Sequence, residues 1–256
     1  MLKIMATTTC KNCTTNFEGN YCVNCGQSAH THAIDWHYVW HEIQHGIFHV
    51  DKGLLFTIKE LTLRPGSTIR QFIAGRRVAY FKPTAMVIFL ATLYGFLYHY
   101  FEVDLMFRLY DEHSKEAHLS AKVQEWITSH YTLVTLMIVP LYGMVSYLMF
   151  RKSRYNFIEH MVLNTFLAGQ KLVLHISLLP LLYACKDSIY ANWVPAFLFI
   201  TDIALTLWIY ISFFDMFSVL SRVIRTFLSY IFVMLFVTIV GTIIALILLF
   251  MGFIVN

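Results

Sequence analysis

Residues 226–254 read TFLSYIFVMLFVTIVGTIIALILLFMGFI and contain no charged side chain. A helix needs roughly 18 or more apolar residues to cross about 30 Å of hydrocarbon, so this segment is longer than one crossing requires. The excess predicts a segment that tilts, breaks near Gly241 or protrudes beyond the bilayer, and the sequence leaves these three alternatives open. This stretch alone indicates an integral membrane protein.

The composition of the whole chain agrees with that interpretation. Of the 256 residues, 58% are apolar and 13% are charged, whereas a soluble domain has about 25% charged residues. The mean hydropathy is +0.60. A formal net charge of +4 is small for a basic domain that binds nucleic acid, and the apolar content is unlike that of a disordered chain. We therefore expect no nucleic-acid partner.

Four further segments are apolar enough and long enough to cross a bilayer. Together with the last segment they predict an all-α integral membrane protein with about five transmembrane helices. These helices are expected to form a bundle over residues 83–256. The predicted spans are about 84–101, 131–150, 160–183, 193–214 and 226–254.

Basic residues alternate from one connection to the next, which predicts the orientation. Short cytoplasmic loops carry an excess of lysine and arginine, and such residues precede the first span and occupy the connections near 151–154 and 222–225. Acidic residues outnumber basic ones in the first connection, 102–130. No secretory signal is visible before the first cysteine. We expect a multi-pass protein of the bacterial inner membrane, with a cytoplasmic N-terminus and an external C-terminus.

Four of the five cysteines form two Cys-x-Asn-Cys pairs, Cys10 with Cys13 and Cys22 with Cys25. Two such pairs fit a tetrahedral Cys₄ site, so residues 1–28 are predicted to form a knuckle that holds one structural Zn²⁺ per chain. The eight-residue link between the pairs predicts a hairpin that turns near residues 18–20. Iron in the same site and two disulfides are the alternatives.

Residues 29–82 are predicted to form basic, amphipathic juxtamembrane helices that lie on the membrane or against the bundle. Apolar residues recur there at steps of three and four, and Arg64-Pro65-Gly66 should end the first helix, with Ser67 capping a second. The basic residues are expected at anionic lipid headgroups. They are Arg64, Arg70, Arg76, Arg77 and Lys82.

A row of histidines lies within the first of these helices. Its members follow one another at four-residue steps, so neighbouring side chains stack on one helical face. A solvated or interfacial face is the simpler interpretation, and a second metal site or a pH-sensing site is the alternative. The row consists of His37, His41, His45 and His49.

Polar side chains also interrupt the third and fourth predicted spans. Asn164, Lys171 and His175 share one face of a helix, which His160 extends toward the cytoplasm, and Asp202 lies at a depth similar to that of Lys171. Isolated charges at mid-bilayer are costly, so we expect Lys171 and Asp202 to pair. The pair is either a structural link between helices or part of a conduction, proton or substrate path.

Several motifs together resemble one known family. They are the Cys-x₂-Cys, x₈, Cys-x₂-Cys-Gly-Gln knuckle and the stretches Phe48-His49-Val50-Asp51-Lys52-Gly53-Leu54, Arg64-Pro65-Gly66 and Gly75-Arg76-Arg77-Val78-Ala79-Tyr80-Phe81-Lys82-Pro83. Over about residues 10–90 the chain resembles the DUF3667 family of bacterial membrane proteins. The resemblance implies this architecture and the importance of the matching positions, and it implies no activity.

Two classes of function remain open at this point. The first is a membrane anchor or scaffold, or a channel- or transporter-like bundle, whose knuckle recruits an unidentified protein partner and whose basic elbow binds lipid. The second is an intramembrane enzyme that acts on a lipid through Asn164, Lys171, His175 and Asp202. The chain has no nucleophile elbow, phosphate-binding glycine loop or zincin signature, which favours the first class. Assembly of several copies is left open.

Overall fold

The computed structural model describes residues 7–31, 34–36, 53–101, 125–126, 129–185, 188 and 193–250, with side chains described as far as 243 in the last of these ranges. Two short strands pair near the N-terminus, β1 (Thr8–Thr9) and β2 (Asn16–Phe17). The rest of the regular structure is helical. The helices are α1 (Gly53–Leu63), α2 (Pro65–Ile73), α3 (Pro83–Phe101), α4 (Tyr131–Met149), α5 (Phe157–Cys185), α6 (Val194–Phe213) and α7 (Val219–Phe250).

The five helices α3 to α7 are each long and apolar enough to cross a membrane. Three of them begin and end within about a residue of the predicted spans, because bilayer thickness and helical rise together set the length of an apolar crossing. The predicted fold class, a mostly helical membrane protein with five candidate spans, is therefore confirmed.

Helix α5 is longer than its predicted span at both ends. At its start Glu159 N–H donates to Asn156 Oδ1 over 2.9 Å, and Asn156 N–H donates to Glu159 Oε2 over 2.7 Å. This reciprocal capping box satisfies backbone donors and begins the helix at Phe157. At 29 residues α5 is about 43 Å long, which exceeds the roughly 30 Å thickness of the hydrocarbon.

Helix α7 runs unbroken through Gly241, which excludes a break there, one of the three alternatives that the sequence left open. Its 32 residues give a length of about 48 Å. Arg222 and Arg225, predicted to lie in a connection, are on its first turns.

Helix α5 is the centre of the bundle. It packs against α1, α2, α3, α4 and α6, whereas α7 packs against α4 and α6 from the outside. Leu163, Phe166 and Leu167 on α5 are buried in the core that these helices share. Groups carried by α5 therefore have neighbours on several sides.

The juxtamembrane elbow consists of α1, α2 and the loop that leads to α3. Arg64 separates α1 from α2, as the Arg-Pro-Gly motif predicts, because proline suits the first turn of a helix and not its interior. Ser67 lies within the first turn of α2 and is not its cap, and its hydroxyl donates to Arg64 O. The buried face of the elbow carries Leu61, Ile69 and Phe72. Of the predicted juxtamembrane helices, the structure describes the part from Gly53 onward together with residues 29–31 and 34–36.

Candidate functional site

Each cysteine pair sits in a backbone turn of its own, and the two turns repeat the same hydrogen bonds. Cys10 N–H donates to Thr15 O over 2.9 Å, and Cys22 N–H donates to Gln27 O over 2.8 Å. Strands β1 and β2 flank the first turn, and a Tyr21–Ser28 bridge flanks the second. The hairpin expected over the link is thus replaced by two hairpins, one around each pair, because each pair closes its own turn.

The four sulfur atoms of these turns converge. Cys10 Sγ lies 3.5 Å from Cys25 Sγ, Cys13 Sγ lies 3.5 Å from Cys22 Sγ, and all four lie within 4.8 Å of one another. Thiolates about 2.3 Å from one tetrahedral ion would be separated by about 3.8 Å. The cluster can therefore hold a metal ion, with all five cysteines of the chain present as free thiols.

The local environment separates the pKa values of these thiols. Hydrogen bonding with Thr15 lowers the pKa of Cys13 to about 5, whereas burial raises the pKa of Cys22 to about 11. Burial also acts to raise the pKa of Cys10, but backbone N–H groups of Cys13 and Asn12 outweigh it, and that pKa is lowered. A metal must displace the remaining thiol protons, so its binding weakens as the pH falls.

The knuckle docks on the elbow through one buried side chain. Gln27 Oε1 accepts the backbone N–H groups of Arg77 and Val78 over 3.4 and 3.2 Å. Gln27 Nε2 donates to Thr31 Oγ1, and Lys11 Nζ donates to Thr31 O. Gln27, two residues after the second cysteine pair, therefore links the cysteine cluster to the loop before α3.

Arginines at the same end of the bundle bind the carboxyl ends of the transmembrane helices. Arg70 Nη1 donates to Ser212 O over 2.6 Å and to Phe213 O over 2.9 Å, at the end of α6. Arg222 donates to the Ile211 carbonyl, and Arg225 donates to the Met149 carbonyl at the end of α4. Cations at helix C-termini satisfy free carbonyls and favour the helix dipole. Arg70 thus has protein partners that join the elbow to the bundle.

The other basic residues of the elbow differ in their surroundings. Arg64 pairs with Glu60 over 2.6 Å, a contact that raises the pKa of the guanidinium, and its side chain is 61% exposed. Arg76 donates to Gln71 over 3.1 Å, Arg77 donates to Phe72 O, and Lys82 is half-buried just before α3. Within this set Arg64 and Arg76 are exposed, and Arg70, Arg77 and Lys82 are half-buried.

Some predicted site residues lie outside the described residues. These are the histidine row, His37, His41, His45 and His49, and the Asp51-Lys52 pair of the family motif.

The structure brings Lys171, His175 and Asp202 together between α5 and α6. Lys171 Nζ lies 3.6 Å from Asp202 Oδ2, and His175 Nε2 lies 3.0 Å from Asp202 Oδ1. The ring faces of Tyr142 and Tyr230 lie 5.5 and 5.6 Å from the ammonium. Aromatic faces attract a cation at this distance. The ionisable triad, Lys171, His175 and Asp202, is thus enclosed by α4 and α7 as well.

The triad lines a cavity of about 210 Å³. The cavity extends along α4 from Tyr131 to Tyr142 and along α5 from Asn164 to His175, and Asp202 is its contribution from α6. Most of the remaining lining is aliphatic. The site therefore offers a few charged and polar groups on an apolar wall, which is the usual chemistry of a small-ligand site.

Asn164 takes part in a second network, nearer the end of the bundle at which the knuckle and the elbow lie. Tyr210 Oη donates to Asn164 Oδ1 over 2.7 Å, and Asn164 Nδ2 donates to Ser146 Oγ over 3.0 Å. His160 Nδ1 lies 3.0 Å from Ser146 Oγ, and His160 Nε2 lies 3.3 Å from Ser153 Oγ. Phe150 and Phe214 stack below this network with centroids 3.9 Å apart. Polar bonds and aromatic packing thus close the end of the cavity that is nearer the elbow.

Sequence reasoning missed Ser146, Tyr210, Tyr142 and Tyr230. Single hydroxyls and tyrosines are common in membrane spans, so nothing in their spacing distinguishes them. The signal that could have found them is the polar stripe on α5, because buried amide and imidazole groups require partners on the helices around them.

The comparisons with known proteins add one finding. The model of the family described as protein of unknown function (DUF3667) matches residues 51–95. The resemblance found in the sequence is therefore confirmed over this DUF3667 segment. No curated protein and no solved structure matches the chain.

The DUF3667 segment covers α1, α2 and most of α3. It includes the backbone that Gln27 binds and the arginine that binds the end of α6. The cysteine cluster and the ionisable triad lie outside it. The family match thus describes the elbow and the first span.

Proposed function

We propose that the bundle is a channel- or transporter-type unit that carries a charged solute through the ionisable triad. The observation that supports this most directly is the position of Lys171, His175 and Asp202 on the wall of a cavity within the membrane-spanning helices. Charged groups at this depth are costly to insert and commonly line ion or substrate pathways.

The long distance between the two charged groups favours a solute pathway over a purely structural link between helices. At 3.6 Å the Lys171–Asp202 contact is longer than a hydrogen bond, although both side chains are mostly buried. A pair that only joined α5 to α6 would gain most from close contact. The lipid-enzyme hypothesis has less support. Asn164 lines the same cavity, but its amide is already hydrogen-bonded to Ser146 and Tyr210.

The cysteine cluster has a supporting role in this proposal. It holds one structural Zn²⁺ per chain and keeps Gln27 in place against the elbow, since a segment this small cannot build its own core. Tyr21 and Val23 are 67% and 86% exposed on the knuckle and are the surface offered to a protein partner. Arg64 faces anionic headgroups at the same end of the bundle.

The proposed location is the bacterial inner membrane, with this end of the bundle in the cytoplasm. Its support is the gathering of Arg70, Arg222 and Arg225 with the knuckle at one end of α4 and α6. An excess of basic residues at one end of the spans is typical of the cytoplasmic side.

Currents across reconstituted membranes test the transport proposal. Proteoliposomes on a solid-supported membrane would be exposed to concentration jumps of protons, acetate, octanoate, inorganic phosphate and glutamate. We expect the wild-type protein to give a transient current with at least one of these probes. The double variant Lys171→Met, Asp202→Asn should be silent while still folding, because its triad has lost both charges.

The control is Lys152→Met, which removes a lysine from the exposed loop before α5. It should keep the wild-type current. If the wild type gives no current with any probe, or if the double variant conducts as well as the wild type, transport through the triad is rejected.

A further inference from the structure

A lateral groove lies between α4 and α6 beside the triad. These two helices share no extensive contact along their described lengths. Helix α5 packs against both of them and forms the floor of the groove. On the other side, α7 covers the pair with Tyr230 and Val233, which are buried. The groove is therefore closed at its cytoplasmic half by α7.

The outer half of α7 does not cover the groove in the same way. From Met234 to Ile243 every side chain is exposed except that of Val240, which is half-buried. Asp202 lies about 14 Å along α6 from Ile211, the cytoplasmic end that Arg222 binds. The uncovered stretch of α7 begins near this depth, so the cavity faces the hydrocarbon of the bilayer at its outer half.

The size of the cavity limits what can enter it. Its volume is about 210 Å³. Pockets for drug-sized ligands have volumes of about 300–1,000 Å³. A polar head can therefore occupy the cavity while an attached chain stays in the groove, between the aliphatic side chains Val134 and Ile138 of α4 and the lipid.

The charged group with free capacity in this cavity is the ammonium of Lys171. It has three donors, and its one charged contact among the described residues is the 3.6 Å pair with Asp202. Asp202, in contrast, is already bound by His175 at 3.0 Å. The cavity thus has a cation that can bind an anionic partner, and its carboxylate already has a hydrogen-bond partner in His175.

We infer that the ligand of the triad is an amphiphile of the bilayer with an anionic head, a carboxylate or a phosphate on an acyl chain, which enters between α4 and α6. The head pairs with Lys171 and the chain occupies the groove. This inference rests on the proposed function and names the class of solute that the bundle carries.

Photolabelling of the full chain in lipid nanodiscs tests the inference. The probe is a long-chain fatty acid with a diazirine in its chain, and the matched probe is the corresponding fatty alcohol. We expect the acid to label peptides with Val134, Ile138 and Leu172, and unlabelled fatty acid to compete where acetate or inorganic phosphate does not. The extent of labelling by the alcohol should be at least about tenfold lower, because the alcohol cannot make the charge-assisted contact with Lys171.

Two variants and a control separate the site from general lipid contact. Lys171→Met should reduce labelling by the acid to the level of the alcohol. Ala168→Phe fills the cavity without changing a charge and should abolish labelling by both probes, even if Lys171→Met fails to fold. Lys152→Met should label as the wild type does. Equal labelling by acid and alcohol, unchanged labelling of the Ala168→Phe variant, or labelling confined to α7 would overturn the inference.

The results also distinguish this inference from the transport proposal. Currents that depend on the triad, without specific labelling of the groove, would refute the amphiphile and retain transport of another solute. Specific labelling without any current would support the amphiphile site and refute transport.

Discussion

Thr14 and Gly26 occupy the same position in the two cysteine turns, one residue after each pair. Both have a left-handed backbone, with φ of 61° at Thr14 and 75° at Gly26. Glycine adopts this conformation without strain, whereas a β-branched residue does not. The backbone of the first turn is therefore strained at Thr14, whereas the backbone of the second turn is not strained at Gly26.

Thr14→Gly should relieve this strain and stabilise the metal-loaded knuckle. We expect a gain of about 0.5–1 kcal/mol after the larger unfolded-state entropy of glycine is subtracted. The measurement is the chelator concentration that removes half of the metal. Val23→Gly, at an exposed position without positive φ, is the control and should give no gain. Easier metal loss from Thr14→Gly would contradict the strain argument.

The metal itself is tested by elemental analysis of the purified, reduced protein. We expect about one zinc per chain, and substoichiometric zinc when Cys13 or Cys22 becomes serine, because three thiolates hold the ion less well than four. Cys185→Ser lies outside the cluster and should keep the full zinc content. A wild-type protein free of zinc and iron would remove the metal from the proposal.

The Lys171–Asp202 pair is tested by comparing single and double variants. Lys171→Met or Asp202→Asn alone should lower the free energy of unfolding by roughly 3 kcal/mol, because the remaining charge stays buried. The two changes together should restore much of this loss, since no charge is left unpaired. Thermal unfolding in nanodiscs measures the coupling. Single variants as stable as the wild type would mean that the two charges are separately hydrated.

At the scale of elements, the elbow is attached to the bundle by a close approach of backbones. Gly66 lies against the end of α6, where its N–H donates to Ser212 Oγ over 3.1 Å and a Cβ atom would collide with the Ser212 carbonyl. Arg70 binds the same end of α6 one turn later. The Arg-Pro-Gly motif therefore serves as a contact surface as well as a helix stop.

Gly66→Ala should separate α2 from α6 and destabilise the protein by about 1–3 kcal/mol, the usual cost of overpacking. Gly241→Ala is the matched control, because a Cβ atom there meets nothing within 4 Å and α7 is helical at that point. It should leave stability unchanged or raise it by up to about 1 kcal/mol. Thermal unfolding of the two variants compares them directly. Equal effects would mean that α2 does not depend on this contact.

At the scale of the whole molecule, five spans require the two chain ends to lie on opposite sides of the membrane. With the basic end of the bundle in the cytoplasm, a reporter fused after Asn256 should be external. We expect alkaline phosphatase fused there to be active and a fluorescent protein that matures only in the cytoplasm to be dark. Fusions in the connection 151–154 should give the opposite pair of results. Bright fluorescence after Asn256 would contradict the five-span topology.

The sequence by itself determined the features that depend on local spacing. The spans followed from the lengths of apolar runs, because bilayer thickness sets how many residues a helix needs. The cysteine cluster followed from two short repeats, because a tetrahedral ion needs ligands in that arrangement. The break at Arg64-Pro65 followed from the chemistry of proline. Each of these depends on residues that are close together along the chain.

Only the tertiary structure decided which partner each functional group has. Depth along the two helices predicts that Lys171 pairs with Asp202, but no local pattern says that Asn164 meets Tyr210 or that His175 meets Asp202. Likewise, the charge of Arg70 predicts a lipid headgroup as readily as the end of α6. Such contacts join residues far apart in sequence, and they depend on how helices rotate and pack around α5, which no local pattern specifies.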